Sequence, residues 1–237
     1  MTMRAWLVAA LLAGASGTAE AQRYAGRDPG AAGPIQYEVA FPNADHHEAR
    51  ITVTYRQLRP GPVRFQMARS SPGRYAIHEF AKNVYAVSAT DGAGRPLAVT
   101  RTDPYGWSVA GHDGTVSVAY TLFGDRADGT YAQIDLSHAH LNAPATFLWA
   151  SGFDRRPIRV RFHRPDPRWK VATQLSPTGD PDTFGARDLQ YLMDSPVELS
   201  DFTLRTWRVG DQQLRVALHH AGSDADADRF VDKLKRI

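Results

Sequence analysis

Histidines beside acidic residues are the first candidates for chemistry in this sequence. His78 and Glu79 open the pattern His-Glu-x-x-His, in which two histidines one helical turn apart bind zinc. The fifth position is Lys82, whose ammonium group has no lone pair for a metal. We therefore expect no metal site here and interpret Glu79 and Lys82 as a surface ion pair at i, i+3.

His138 and His140 form a second candidate, because residues two apart on a strand point to the same side. Both imidazoles could then reach one ion, with Asp135 or His163 as a third ligand. Two ligands are too few for a zinc site. We favour polar side chains on a wet sheet face or an interface, and keep a metal site as the alternative.

The sequence lacks the residues and motifs that other kinds of catalytic site require. The sequence has no cysteine, which excludes thiol nucleophiles, cysteine zinc sites, disulfides and a lipid-attachment cysteine. The mature chain has no Gly-x-Ser-x-Gly motif, no phosphate-binding loop and no dinucleotide-binding glycine motif. We expect no catalytic residue, no metal ligand and no cofactor within this chain.

The elements that would position these side chains are strands. Apolar and polar residues alternate with a period of two, with turn residues in between, which is typical of half-buried strands. The sequence predicts an all-β fold, an antiparallel sandwich or a pair of saddle-like sheets. The predicted strands cover residues 35–41, 51–55, 63–67, 84–90, 97–101, 107–110, 115–123, 146–150, 158–162, 169–173, 203–209 and 213–218.

Two segments have helical spacing. Residues 75–83 fit a short helical turn lying on the sheet. After Ser223, a good N-cap, apolar residues recur with helical spacing up to Ile237. No residue that stops a helix follows, so we expect residues 221–237 to begin a helix leading into a further domain.

The N-terminus resembles an export signal. Arg4, an apolar run at residues 5–15 and the small residues Ala19 and Ala21 predict a signal peptide over residues 1–21. Residues 22–34 are rich in Gly, Ala and Pro and predict a flexible leader, followed by a β-rich domain over residues 35–220. We expect a periplasmic or secreted protein without a membrane segment after cleavage.

The net charge of +3 is spread along the chain, so we expect no nucleic-acid partner.

Several segments resemble the N-terminal domain of the PDZ-containing glycyl aminopeptidase family of zinc metallopeptidases, metallopeptidase family sixty-one. The resemblance runs from about residue 35 to the end and is most specific at residues 72–75 (Pro-Gly-x-Tyr) and at residues 194–198 (Asp-Ser-Pro-Val-Glu). It implies a non-catalytic, saddle-like β domain, with zinc, peptide substrates, a downstream catalytic domain and a PDZ domain belonging to the complete protein. This chain alone would be inactive, because it lacks the complete His-Glu-x-x-His motif.

Two polar segments between apolar strands, residues 131–142 and 194–201, could face that catalytic module. We expect them to line the substrate entrance or the domain interface, and exposure without a partner is the alternative. The sequence also fits a stand-alone exported β-sandwich that binds peptide or carbohydrate, or a structural domain without a ligand. The candidate interface residues are Tyr131, Asp135, His138, His140, Asn142, Asp194 and Glu198.

Overall fold

The computed structural model describes residues 33–236, so the predicted signal peptide, most of the predicted leader and Ile237 lie outside the described residues. The strands are β1 Ile35–Asn43, β2 Glu48–Tyr55, β3 Val63–Gln66, β4 Val84–Thr90, β5 Ala98–Asp103, β6 Gly106–Ala110, β7 Val116–Phe123, β8 Gln133–Ile134, β9 His138–Leu141, β10 Trp149–Ala150, β11 Ile158–His163, β12 Lys170–Thr173, β13 Ser176–Pro177, β14 Thr183–Ala186, β15 Val197–Ser200, β16 Thr203–Val209 and β17 Gln212–Leu218. The helices are α1 Ala143–Thr146, α2 Leu189–Met193 and α3 Asp224–Leu234, with 3₁₀ turns at Ala44–His46 and Phe80–Asn83.

The strands form four sheets. A central seven-stranded sheet has the order β13-β14-β11-β1-β2-β7-β4, and a second sheet has the order β10-β3-β6-β5. A third sheet, which we call the histidine sheet, has the order β12-β15-β9-β8, and β16 with β17 forms a separate terminal hairpin. The pairs described are antiparallel except β1 with β11, which is parallel. The all-β prediction is confirmed, with a parallel pair that the sequence pattern does not predict.

The alternation of apolar and polar residues along the strands forms the core, as the sequence predicts. In β1, Tyr37 and Val39 are buried while Gln36 and Glu38 are exposed, and β7 repeats this pattern. One side of the central sheet is therefore apolar and packs against the remaining layers. The buried core cluster extends from Ile35 to Leu199 and does not include the terminal hairpin.

Three buried tyrosines hold the segment from Thr146 through β10. The Tyr120 hydroxyl donates to the Thr146 carbonyl at 2.7 Å and accepts from the Leu148 N–H at 3.1 Å. The Tyr37 hydroxyl donates to the Leu148 carbonyl at 2.8 Å, and the Ala150 N–H donates to the Tyr55 hydroxyl at 3.0 Å.

The strand predicted over residues 146–150 is therefore wrong in its first half. Residues 143–146 form α1, and only Trp149–Ala150 pair as a strand. Because tyrosine hydroxyls satisfy the backbone groups of this buried segment, it does not need a ladder partner along its whole length.

The short helical turn predicted over residues 75–83 is confirmed in its second half, where Phe80–Asn83 form a 3₁₀ helix, while residues 75–79 are not helical. The ion pair expected between Glu79 and Lys82 is absent. Glu79 pairs instead with Arg69 at 3.0 Å, and the Lys82 ammonium lies 5.7 Å from the centre of the Tyr131 ring.

The C-terminal helix is confirmed as α3. Ser223 caps it, because its side chain accepts from the Asp226 N–H while the Asp226 carboxylate accepts from the Ser223 N–H. Ala227 and Val231 are buried, whereas Phe230 is 48% exposed. At 11 residues, α3 is the longest helix described, and none of the described helices could span a bilayer.

Candidate functional site

The histidine sheet has one apolar and one polar side. Ala139 of β9 and Leu199 of β15 point inward and are fully buried. Because successive residues alternate, His138, His140 and Glu198 point outward together. We call this side the histidine face and define it as Gln133, Asp135, His138, His140, Glu198 and His219.

His140 and Glu198 face each other on neighbouring strands, in direct register. His140 Nδ1 lies 3.3 Å from Glu198 Oε2, and the Ser200 hydroxyl donates to Glu198 Oε1 at 3.1 Å. Both carboxylate oxygens are therefore engaged within the sheet. The outer side of the imidazole remains available to a partner or a substrate.

His138 is held from three sides. Its Nδ1 lies 3.2 Å from Asp135 Oδ2, and its Nε2 lies 3.3 Å from Gln133 Oε1. Its ring stacks on His219, with centroids 4.6 Å apart and planes 20° apart. His219 follows β17, so this stack joins the terminal hairpin to the histidine sheet.

Asp135 is tied into the turn between β8 and β9. It accepts from the Ser137 hydroxyl and the Ser137 N–H, each at 2.6 Å, and from the His138 N–H at 2.9 Å. Partial burial raises the pKa of Asp135, but the bonds from Ser137 and His138 outweigh that effect and hold the pKa at about 2. Asp135 is therefore ionised at neutral pH and fixes the orientation of His138.

The histidine face does not converge on a metal. Within residues 33–236, no group of three or more His, Cys, Asp or Glu side chains could hold an ion. His163, considered as a third ligand, lies on β11 and pairs with Glu38 at 3.1 Å. His138 and His140 each contact a different carboxylate, so the face can form hydrogen bonds and ion pairs but does not fit zinc.

Tyr131 and Asn142 lie away from the histidine face and are buried, at 6% and 7% exposure. The sequence analysis names both as candidate interface residues, and the structure positions them inside the domain and not on this face. The Asn142 amide donates to the Thr130 carbonyl and to the Ser71 hydroxyl. The Tyr131 ring packs edge-on against Phe80 at 4.9 Å. Both residues hold the segment from Ser71 to Phe80 on the body of the domain.

Asp194 is exposed at the C-terminal end of α2, and its carbonyl accepts from the Gln174 side chain. It is not brought together with the histidine face. The structure therefore joins four of the seven candidate residues: Asp135, His138, His140 and Glu198.

Sequence reasoning did not include His219 in the site. In the sequence it stands only in an adjacent histidine pair, and its contact with His138 spans 81 positions. No local pattern could have indicated it. The Gln133 side chain was also missed, although its alternation with Ile134 gives a weak signal.

A shallow groove is lined by residues of the loop that contains Pro72, of α1, of β10 and of α2. It has a volume of about 360 Å³ and a mostly apolar lining that includes Pro72, Pro144, Trp149, Leu189 and Met193. Next to it, the loop that contains Pro72 presents Tyr75 and Ile77 to solvent.

Comparisons with known proteins show which family model and which solved structures this chain matches. The model of the Peptidase M61 N-terminal domain family matches residues 36–201. A search of curated proteins found no match.

Among solved structures, the chain is similar to an aminopeptidase N family protein from Idiomarina loihiensis, with a TM-score of 0.73 and 22% identity. That match covers 81% of this chain and 34% of the other, so the chain spans about a third of its length. An M1 zinc metallopeptidase from Deinococcus radiodurans also matches, at a TM-score of 0.41 and 14% identity, over 78% of this chain and 46% of the other.

The first of these structures shares the fold, with the same β-rich arrangement over most of the chain. The family model independently covers well over half of the 237 residues, including every strand of the histidine sheet. On that match, the chain belongs to the Peptidase M61 N-terminal domain family.

Proposed function

We propose that this chain is the non-catalytic N-terminal β domain of a secreted zinc metallo-aminopeptidase, which packs on a catalytic module and helps to shape its substrate entrance. The family match over residues 36–201 is the observation that carries the proposal. The similar Idiomarina loihiensis structure is about three times as long as the part matched here, which leaves room for such a module.

The histidine face is the proposed contact surface with the module. The stack of His219 on His138 places the beginning of the C-terminal segment directly at this face. The chain therefore passes from β17 towards α3 beside His138. Imidazoles and carboxylates held by their neighbours lose little entropy when a partner binds, which suits an interface or the wall of a substrate entrance.

The zinc of the complete enzyme would belong to the catalytic module, because the described residues do not fit it. When bound there, the metal would polarise the peptide carbonyl and activate a water molecule. The residues of this chain would orient the substrate or the module through a hydrogen bond from His140, because both ring nitrogens of His138 already contact Asp135 and Gln133.

Peptide hydrolysis tests whether the peptidase activity requires parts of the complete polypeptide outside this chain. We expect purified residues 22–237 to release no amino acid from peptide substrates, and the polypeptide of the complete reading frame to do so in a chelator-sensitive manner. Chelator-sensitive hydrolysis by residues 22–237 alone would contradict the proposal. So would a complete polypeptide that does not hydrolyse any peptide of a mixed library.

Substitution of His140 tests the substrate entrance. In the complete polypeptide we expect His140→Ala to raise KM or lower kcat several-fold, because the variant loses a side chain held in place by Glu198. His112→Ala is the control, since His112 is a histidine bonded to the Gly61 carbonyl in another part of the domain. If both variants keep wild-type kinetics, the histidine face does not border the substrate.

A second candidate function is peptide binding by the domain itself. It is favoured by the groove around Trp149, whose apolar lining could hold a side chain of a peptide. Titration of residues 22–237 with a peptide library, followed by Trp149→Ala, would separate this function from a purely structural role. Saturable binding that the variant abolishes would support it, and carbohydrate arrays would test glycan binding.

A further inference from the structure

The outer side of the central sheet carries a groove lined with arginines. In β11, alternate residues point away from the core, so Arg159 and Arg161 lie exposed on the same side. β1 runs beside them in direct register, with Gln36 opposite Arg159 and Glu38 opposite Arg161. The turn that contains Gly179 lines the other side of a space of about 450 Å³. We call this space the arginine groove and define it by Gln36, Glu38, Arg159, Arg161, Asp180 and Thr183.

The β1 residues that stand opposite the two arginines are bonded to other side chains. Glu38 Oε2 lies 3.1 Å from Nε2 of His163, and the side-chain oxygen of Gln36 accepts a hydrogen bond from Arg56. Cross-strand neighbours of this kind would ordinarily pair with the arginines that face them. Both guanidinium groups are therefore left without the partner that their register offers.

Asp180, on the other side of the groove, is satisfied by its own turn. Its carboxylate accepts from the Asp182 N–H and from the Thr183 hydroxyl, each at 2.9 Å. These two bonds, the one from Asp182 first, lower the pKa of Asp180, so it is ionised at neutral pH. Arg161 Nη1 lies 3.9 Å from this carboxylate, which is too far for a hydrogen bond.

Arg159 has the greater unused capacity of the two arginines. Within residues 33–236, its side chain makes no hydrogen bond, ion pair or ring contact with another residue. Gly185 stands opposite it on β14 and has no side chain to fill the space beside it. Three arginines, Arg56 included, and two carboxylates meet at the groove, so it stays net positive with both carboxylates ionised.

The spacing of the two arginines fits an extended peptide. Residues two apart on a strand are separated by about 6.4–6.8 Å along the strand. An extended peptide has the same repeat, so acidic side chains at alternate positions can each reach one guanidinium. Each guanidinium can hold a carboxylate through two parallel hydrogen bonds. The volume of the groove also lies within the range of ligand-binding clefts.

We propose that the arginine groove binds an extended peptide segment with acidic residues at alternate positions, one carboxylate held by Arg159 and the next by Arg161. The peptide would lie along β11, on the side of the sheet that faces away from the core. The groove shares no residue with the histidine face or with the groove around Trp149, so the inference does not depend on the proposed function. Because the charges are exposed, binding should weaken as the salt concentration rises.

Titration of the complete polypeptide with fluorescent peptides tests the spacing. The probe is an N-acetylated octapeptide with two aspartates at alternate positions, and its control has the same composition with the aspartates adjacent. Acetylation blocks the N-terminus against an aminopeptidase, so binding is measured apart from hydrolysis. We expect the alternating peptide to bind several-fold more tightly than the control. Equal affinity of the two peptides overturns the proposal.

Substitutions test whether binding occurs in the groove. We expect Arg159→Gln and Arg161→Gln each to weaken binding of the alternating peptide about fivefold, as the loss of one exposed ion pair does. Arg74→Gln is the matched control, because it removes the same charge from an exposed position in another loop. All three side chains are exposed, so the fold should keep its circular dichroism spectrum. An equal loss in Arg74→Gln would mean a general attraction to a basic protein, and would overturn the proposal.

A charge exchange and two competitors identify the ligand chemistry. Arg159→Glu should bind a peptide in which one aspartate is replaced by lysine more tightly than the wild type does, and the opposite preference would contradict the proposed contact. Inorganic phosphate should displace the peptide only as well as sodium chloride of equal ionic strength does. Stronger displacement by phosphate, or binding of anionic phospholipid vesicles that Arg159→Gln abolishes, would assign the groove to phosphate groups and overturn the proposal.

Discussion

At the scale of single residues, Asp135 shows how a turn fixes the chemistry of a histidine. Its carboxylate accepts three hydrogen bonds from Ser137 and His138 and contacts the His138 ring. These bonds favour the ionised form over the protonated one. The orientation of His138, and through it the position of His219, depends on this carboxylate.

We expect Asp135→Ala to lower the free energy of unfolding by about 1–2 kcal/mol at pH 7, because it removes these hydrogen bonds to a charged group. The folded pKa of about 2 lies below the unfolded value of about 3.9. The contribution is therefore present above pH 4 and is lost as the pH falls through about 2.

Urea unfolding of the wild type and Asp135→Ala between pH 7 and pH 2 measures this difference. Asp194→Ala is the control, since its carboxylate is exposed and makes no hydrogen bond among the described residues. A gap between wild type and Asp135→Ala that does not change with pH would contradict the assignment.

At the scale of elements, tyrosine hydroxyls connect the central sheet to the segment before β10. Burial raises the pKa of Tyr55 to about 12, and it also raises the pKa values of Tyr37 and Tyr120. All three hydroxyls are therefore protonated at neutral pH. They satisfy backbone groups that would otherwise be buried without a partner.

We expect Tyr120→Phe to cost about 2 kcal/mol of unfolding free energy, because it leaves both the Thr146 carbonyl and the Leu148 N–H unpaired in the core. Tyr75→Phe removes the same atom from a fully exposed tyrosine and should change stability by less than about 0.5 kcal/mol. Chemical denaturation measures both variants, and equal effects would show that the hydroxyl of Tyr120 does not brace the segment.

The sequence predicts a strand well where the burial of one of its two faces gives a clear residue pattern. Residues 84–90 and 203–209 form strands with the predicted bounds. Alternation marks the half-buried face of residues 203–209, whereas in residues 84–90 a register shift between Tyr85 and Ser88 interrupts it. Residues 183–186 and 197–200 form strands that the pattern does not predict, because neither alternates cleanly between a buried and an exposed side. The prediction at 146–150 fails because distant hydroxyls, and not the segment's own pattern, satisfy its backbone.

The candidate site, too, could be predicted only in part from the sequence. Spacing in β9 places His138 and His140 on one side, and the structure keeps them there. The partner Glu198 lies on β15 and the stacking residue His219 directly follows β17, both far along the chain. Their approach depends on sheet order, which is a tertiary property without a local signal.

At the scale of the whole molecule, the described residues form a large β body and a small terminal body, and the contacts between the two include the stack of His219 on His138. We expect the amides of β16, β17 and α3 in residues 22–237 to exchange by local opening, faster than those of β1, β2 and β7, which should exchange only by global unfolding. Mass-resolved hydrogen exchange at increasing denaturant measures both. A single common opening free energy would mean that the two bodies unfold as one.

The parallel pairing of β1 with β11 has a consequence for how the chain reaches this structure. Ile35 pairs with Ile158, more than one hundred residues later, while β2 covers the other edge of β1. During synthesis, the edge of β1 that pairs with β11 stays unpaired until residue 158 has emerged. Closing so long a loop is slow. The nascent domain thus carries an unprotected strand edge through most of its translation, the period in which a holding chaperone would matter most.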